Sequence, residues 1–66
     1  MNINKLKAKI VERGINVEIL AKEIGSDRST LYRKLNNFEK ITIGDAQKIK
    51  NALDISNEDA YEIFLA

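Results

Sequence analysis

The chain has 66 residues, a length that suits one small domain, and we expect residues 1–66 to form that domain alone. It contains no Cys and no His, which excludes disulfides, thiolate or imidazole zinc sites, and catalysis by these side chains. So small a core leaves little room for a deep pocket. We therefore expect no enzyme, no cofactor and no small-molecule ligand.

The composition predicts an all-α fold. No Pro, 3 Gly, 44% hydrophobic and 32% charged residues describe a chain rich in helix formers and poor in the breakers that β folds use at turns. No apolar run approaches the roughly 20 residues that cross a bilayer, and no basic and then apolar leader opens the chain. We expect a cytoplasmic protein without a membrane partner.

The net charge of +1 hides an uneven distribution. Residues 1–34 hold eight bases and four acids, a balance of +4, whereas residues 35–66 hold three bases and six acids, a balance of −3. This separation is typical of a nucleic-acid face opposite a partner or solvent face, although the surfaces of small helical domains are charged in any case.

Apolar spacing and capping residues predict three helices in the first half of the chain. The first runs from about Asn4 to Arg13 and ends at Gly14, a residue suited to the left-handed position after a helix. The second begins after the N-cap Asn16 and is closed by Gly25. The third begins at the N-cap Asp27, whose carboxylate suits the positive end of the helix dipole.

Two further helices follow a connecting loop at residues 38–41. Asn36 and Asn37 end the third helix, and the apolar ends of the loop are expected to pack on the core. Thr42 with Asp45 resembles a capping box and opens the fourth helix, although such a box prefers Glu or Gln. Ser56 repeats this start signal before the fifth helix.

The second and third helices have the spacing of a helix-turn-helix. Two short helices on either side of a glycine turn are its typical arrangement, and any helical hairpin with a chance glycine is the alternative. The residues expected to hold the two helices together are Leu20, Ala21, Ile24, Gly25, Leu31 and Leu35.

At these residues the sequence resembles the lambda-repressor and Cro-like helix-turn-helix regulators. The resemblance covers LAKEIGSDRSTLYRKLNN at residues 20–37 and FEKITIGDAQKIKNALDIS at residues 38–56. It implies a compact bundle of five helices that binds operator half-sites in double-stranded DNA as a homodimer. It further implies a transcriptional regulator of the short phage or prophage type, a nucleoid-associated repressor without a second sensing domain.

Two positions depart from the family's pattern. Many relatives begin the second helix with a Gln that holds a phosphate, whereas this chain has Val17. Asn16 or the free N–H groups of that helix are expected to serve instead. Relatives also commonly bury an apolar residue at the position of Lys34, so the apolar anchor shifts to Leu35.

Helix geometry predicts which residues of the third helix, Asp27 to Asn37, face DNA. With Leu31 and Leu35 turned inward, the outward arc can enter a major groove about 12 Å wide. The candidates for base contacts are Arg28, Ser29, Tyr32 and Arg33. The candidates for phosphate contacts are Asn16, Thr30, Lys34, Asn36, Asn37 and Lys40.

Several of these residues have structural interpretations as well. Arg28 can instead pair with Asp27 or Glu23, and Arg33 and Lys34 can be ordinary solvated charges. Tyr32 can pack against the loop at residues 38–41. The two asparagines at the end of the helix can be no more than a stop signal.

The last helix is the candidate dimer interface. Residues 54–66 contain four acids and no base, which does not suit DNA, and they end in an apolar cluster. We expect Ile63 and Phe64 to close the core and Tyr61 and Leu65 to contact a second copy.

The alternative function is a protein-interaction module, or an antitoxin or excision-type accessory factor built on the same bundle.

Overall fold

Five α-helices and one 3-10 turn make up residues 2–65, the part of the chain that the computed structural model describes, with no strand in that range. The α-helices are α1 (Ile3–Glu12), α2 (Val17–Glu23), α3 (Arg28–Asn36), α4 (Ile43–Leu53) and α5 (Asn57–Phe64). The predicted all-α architecture of five helices is confirmed. No helix within these residues is both long and apolar enough to span a membrane.

Polar side chains start the helices. Asn2 accepts a hydrogen bond from the N–H of Lys5 at 3.1 Å, so α1 begins at Ile3 and its predicted start at Asn4 is one residue late. Its predicted end is also one residue late, because Arg13 is already the C-cap. The next residue, Gly14, has a φ of +69° and turns the chain toward α2.

The start signal of α4 is a complete capping box. The N–H of Asp45 donates to Thr42 Oγ1 at 3.0 Å, and the N–H of Thr42 donates back to Asp45 Oδ2 at 3.1 Å. Aspartate therefore completes this box in place of the preferred Glu or Gln. The predicted loop before it, residues 38–41, is mostly a 3-10 turn at Phe38–Lys40.

The core draws residues from all five helices. Its buried members are Leu6, Ile10, Leu20, Ala21, Leu31, Leu35, Ile49, Leu53, Ile55 and Ile63. Phe38 and Ile41 pack against its edge, as expected for the apolar ends of that connection. The ring of Phe38 stacks on Phe64 with centroids 5.7 Å apart, so the connection after α3 is fastened to α5.

Ion pairs join α1 to α5. The Asp59 carboxylate lies 2.9 Å from Lys9 Nζ and 3.2 Å from Lys5 Nζ, and Lys5 also pairs with Glu62. The hydrogen bonds from Lys9 and then Lys5 hold the pKa of Asp59 below its usual range. Part of the acidic end of the chain is thus neutralised by lysines of the first helix.

Candidate nucleic-acid interface

The pair α2 and α3 forms the predicted helix-turn-helix. Ala21 is 1% exposed and lies in the same buried cluster as Leu20 and Leu31. A small side chain at this buried position leaves room for the neighbouring helices to pack closely. Leu35 is buried as well, and Ile24 is half-buried against the core, as predicted.

The turn between the two helices depends on Gly25. Its φ of +72° lies in the left-handed region, which glycine enters without steric cost. The N–H of the next residue, Ser26, donates to the carbonyl of Ala21 at 2.9 Å. This bond gives a partner to one of the carbonyl groups left free at the end of α2. The sequence therefore supplies a short, closed turn that carries the chain directly into α3.

Asp27 fixes the start of α3. Its Oδ1 accepts the N–H of Thr30 at 2.7 Å, and its Oδ2 accepts the Thr30 hydroxyl at 3.0 Å. These two bonds lower the pKa of Asp27, the backbone bond contributing most. Because the Thr30 hydroxyl donates its proton to Asp27, it can offer a ligand only its acceptor lone pairs in this conformation.

One side of α3 is buried and the other is exposed. The exposed residues are Arg28, Ser29, Tyr32, Arg33 and Asn36, the outward arc that helix geometry predicted. Tyr32 is 48% exposed, whereas Phe38, with which it was alternatively expected to pack, stacks on Phe64. The arc therefore combines two guanidinium groups, a phenol, a hydroxyl and an amide on one face.

Arg28 forms an ion pair with α2. Its Nη1 lies 3.7 Å from Oε2 of Glu18, and both side chains are more than half exposed. The alternative partners considered from the sequence, Asp27 and Glu23, were therefore wrong, because packing of α2 on α3 brings the first turns of the two helices together. So long and exposed a pair adds little stability.

A shallow concavity lies between the end of α3 and the start of α4. It has a volume of about 560 Å³ and is lined by Thr30, Arg33, Lys34, Asn37, Lys40 and Thr42. Four of these were predicted as phosphate ligands from separate parts of the sequence. Thr42 was missed as a candidate, since its role as a helix cap already explained it. Three cations and several hydrogen-bonding groups thus surround one surface depression.

Lys34, which lines this concavity, forms an ion pair with Asp45 of α4. Its Nζ donates to Asp45 Oδ2 at 2.8 Å, and the two side chains are only 31% and 22% exposed. The hydrogen bond from Lys34 is the main cause that lowers the pKa of Asp45. The sequence pattern identifies Asp45 only as a cap, because nothing in it places Asp45 beside Lys34.

The other two phosphate candidates lie outside the concavity. Asn16 is exposed at the start of α2, where its Oδ1 accepts the N–H of Ile19 at 2.9 Å. Its amide NH₂ group remains available as a donor. Asn36 is exposed on the outward arc of α3.

Tyr61 and Leu65, the interface candidates, are 58% and 72% exposed on the opposite side of α5 from the buried Ile63. They line an apolar groove between α4 and α5. The exposed Ile43 extends this groove, and Phe64 forms part of its floor. Ile43 was not singled out from the sequence, because its position at the start of α4 resembled an ordinary first-turn residue.

Comparison with known protein families gives one match. The family described as the Cro/C1-type HTH DNA-binding domain matches residues 5–64, which include all of the α2–α3 unit and the concavity. No curated protein and no solved structure matches the chain.

Proposed function

The chain belongs to the family of Cro/C1-type helix-turn-helix DNA-binding domains, and we propose that it is a transcriptional regulator that reads double-stranded DNA with α3. The observation that carries this proposal is the division of α3 into a buried apolar side and an exposed polar side. A helix of this kind fits the major groove with its polar side toward the bases.

The base contacts in this proposal come from the outward arc of α3. Arg33 forms no ion pair within the described residues, so its guanidinium is available for paired hydrogen bonds to guanine O6 and N7. Arg28 does the same after giving up its long pair with Glu18. Ser29 contacts a base edge, and Tyr32 packs on a thymine methyl group.

The phosphate contacts position α3 without reading sequence. Lys40 and Asn37 hold the backbone from the concavity, together with Lys34. Thr30 joins them when its hydroxyl turns from Asp27 to donate to the phosphate. Asn16 and Asn36 hold it from the start of α2 and the end of α3. The N–H groups at the start of α2 add to this, since helix N-termini favour anions.

A titration of labelled duplex separates this function from the alternative interaction module. The chain is added to a random-sequence duplex and anisotropy is followed at low and at high salt. We expect binding that weakens steeply with salt, since each phosphate neutralised contributes a slope of about −0.9. A chain that binds no duplex at low salt would leave only the interaction module.

The regulator acts as a homodimer on two operator half-sites in this proposal, with the copies meeting at the groove between α4 and α5. One copy of α3 covers only a few base pairs, and half-sites one helical turn apart lie about 34 Å from each other. The exposure of Tyr61, Leu65 and Ile43 along one groove supports this interface. The resemblance to short phage-type repressors supports repression as the outcome, in the cytoplasm of a bacterial cell.

Sedimentation tests the dimer with a matched control. Leu65→Lys places a charge in the groove, whereas Val11→Lys makes the same kind of change at an exposed apolar residue of α1. We expect wild type and Val11→Lys to bind an operator as dimers and Leu65→Lys to bind as a monomer. A wild-type chain that sediments as a strict monomer, alone and on DNA, would refute the dimer.

A further inference from the structure

We infer that Asp45 competes with DNA phosphate for Lys34 and thereby sets the affinity and the salt dependence of DNA binding. The inference rests on the proposed function, because it concerns phosphate contacts beside α3. It assigns a role to a residue that lies in α4 and outside the reading helix. The competing groups are one carboxylate of the protein and one phosphate of the DNA backbone.

The geometry places Lys34 between two possible partners. On one side its ammonium group is 2.8 Å from Asp45 Oδ2, in a pair that is mostly shielded from solvent. On the other side Lys34 lines the concavity that Arg33 and Lys40 also border. Its charge is therefore held on the protein at the surface where a phosphate would bind.

The Asp45 carboxylate is anchored and does not follow Lys34 away from α4. The same Oδ2 that binds Lys34 accepts the N–H of Thr42 at 3.1 Å, while the N–H of Asp45 donates to Thr42 Oγ1 at 3.0 Å. These bonds fix the carboxylate to the first turn of α4. A phosphate that takes Lys34 must therefore replace the bond to Asp45 or share the ammonium group with it.

The charge balance gives the direction of the effect. A lysine paired with a fixed carboxylate adds no net charge to the concavity, so its contact with phosphate displaces fewer counterions than that of a free lysine. Of the three cations there, only Lys34 has an ion pair within the described residues. Because phosphates are common to all sequences, Asp45 changes affinity without changing sequence preference.

The test uses Asp45→Asn, Lys34→Gln and the double variant, with Asp59→Asn as the control. Asparagine keeps a carbonyl oxygen that can accept the N–H of Thr42, so the capping box survives while the charge is lost. Asp59 lies three residues after the cap of α5, as Asp45 does after the cap of α4, but it pairs with α1. The control therefore makes the same charge change away from α3. Dissociation constants are measured against salt on a selected and on a random duplex.

We expect Asp45→Asn to steepen the salt slope by about one unit and to tighten binding about eightfold at 0.1 M salt, on both duplexes alike. Lys34→Gln should flatten the salt slope by well under one unit in the wild-type chain. In a chain that already carries Asp45→Asn, the same substitution should flatten it by about one unit. Asp59→Asn should leave the slope unchanged. Thermal unfolding of each variant shows whether a loss of binding comes from a loss of fold.

Three results would overturn the inference. The first is a folded Asp45→Asn chain that binds DNA with an unchanged or shallower slope. The second is a full unit of slope lost by Lys34→Gln in both backgrounds, and the third is equal steepening by Asp59→Asn. If the wild-type chain binds no duplex at low salt, the proposed function itself fails, so the two failures are distinguishable.

Discussion

Thr30 donates two hydrogen bonds to Asp27, one from its backbone N–H and one from its hydroxyl, at 2.7 and 3.0 Å. Both oxygens of one carboxylate are thus directed at a single residue in the first turn of α3. These two hydrogen bonds fix where the helix begins and, as a result, the direction in which the side chains of Arg28 and Arg33 leave the helix. The cap therefore supports both the stability of α3 and its proposed role in reading DNA.

Removal of this cap should destabilise the chain. Asp27→Ala leaves the N–H and hydroxyl of Thr30 without their acceptor, and we expect a loss of about 1 kcal/mol in the free energy of unfolding. Urea denaturation followed by circular dichroism measures this loss. Asp27→Asn is the control, since an asparagine oxygen still caps the helix, and it should lose less. Equal stability of the Ala variant and wild type would contradict the role of the cap.

The stability of the chain should depend on pH in the acid range. The pKa values of Asp27, Asp45 and Asp59 are all lowered in the folded state. The unfolded chain, whose aspartate pKa values lie at about 3.9, therefore binds protons more readily. The stabilisation that these three carboxylates contribute is fully present above about pH 5 and is lost as the pH falls through the lower folded values. Urea titrations from neutral to acid pH should show this decrease, and Asp59→Asn should reduce it. A free energy of unfolding that stays level on acidification would contradict the prediction.

Ala21 should tolerate no larger side chain. Ala21→Leu inserts three carbon atoms at a position of α2 that is 1% exposed, and we expect a loss of about 1 to 3 kcal/mol in stability together with weaker DNA binding. Ala8→Leu is the matched control at an exposed position of α1, where a change within about 0.5 kcal/mol is expected. Equal unfolding midpoints for the two variants would show that the helices are not in close contact at Ala21.

Arg33 should discriminate between base pairs. Arg33→Ala is expected to cost about 1 to 3 kcal/mol of binding free energy on the preferred duplex and to relax the preference at one base position. Lys7→Ala removes an exposed cation from α1 and should leave the preference intact. Binding profiles over all single-base variants of the site provide the measurement. An unchanged profile for Arg33→Ala would contradict base reading by this residue.

Lys40 should act on every sequence alike. It borders the concavity without an ion pair in the described residues, so Lys40→Ala is expected to flatten the salt slope by about one unit on any duplex. The same Lys7→Ala chain serves as the control for net charge. A loss confined to the preferred duplex would assign Lys40 to base reading instead.

Local patterns in the sequence were sufficient to predict the helices and the exposed arc of α3. Apolar spacing marks Leu31 and Leu35 as buried, and the arc follows from the 3.6-residue period. Capping residues such as Asp27 form hydrogen bonds only with residues of the next turn, so they too can be predicted from the sequence. The exact ends of α1 were less accessible, since they depend on which of two neighbouring residues becomes the cap.

Contacts between helices were not predictable in the same way. The pairs Arg28–Glu18 and Lys34–Asp45 join residues ten and eleven positions apart on different helices. Which charged residues meet depends on how the helices cross, and no local pattern contains that information. The concavity beside α3 and the ion pair that Asp45 forms with Lys34 became visible only with the tertiary arrangement.

Interference by guanine methylation tests the central claim most directly. A duplex selected by the wild-type chain is methylated sparsely at guanine N7, an acceptor that faces the major groove, and bound and free molecules are compared. We predict that methylation at one or two guanines in each half-site blocks binding, and that Arg33→Ala removes the effect at one of them. Binding that is indifferent to N7 methylation throughout the site would contradict major-groove reading by α3.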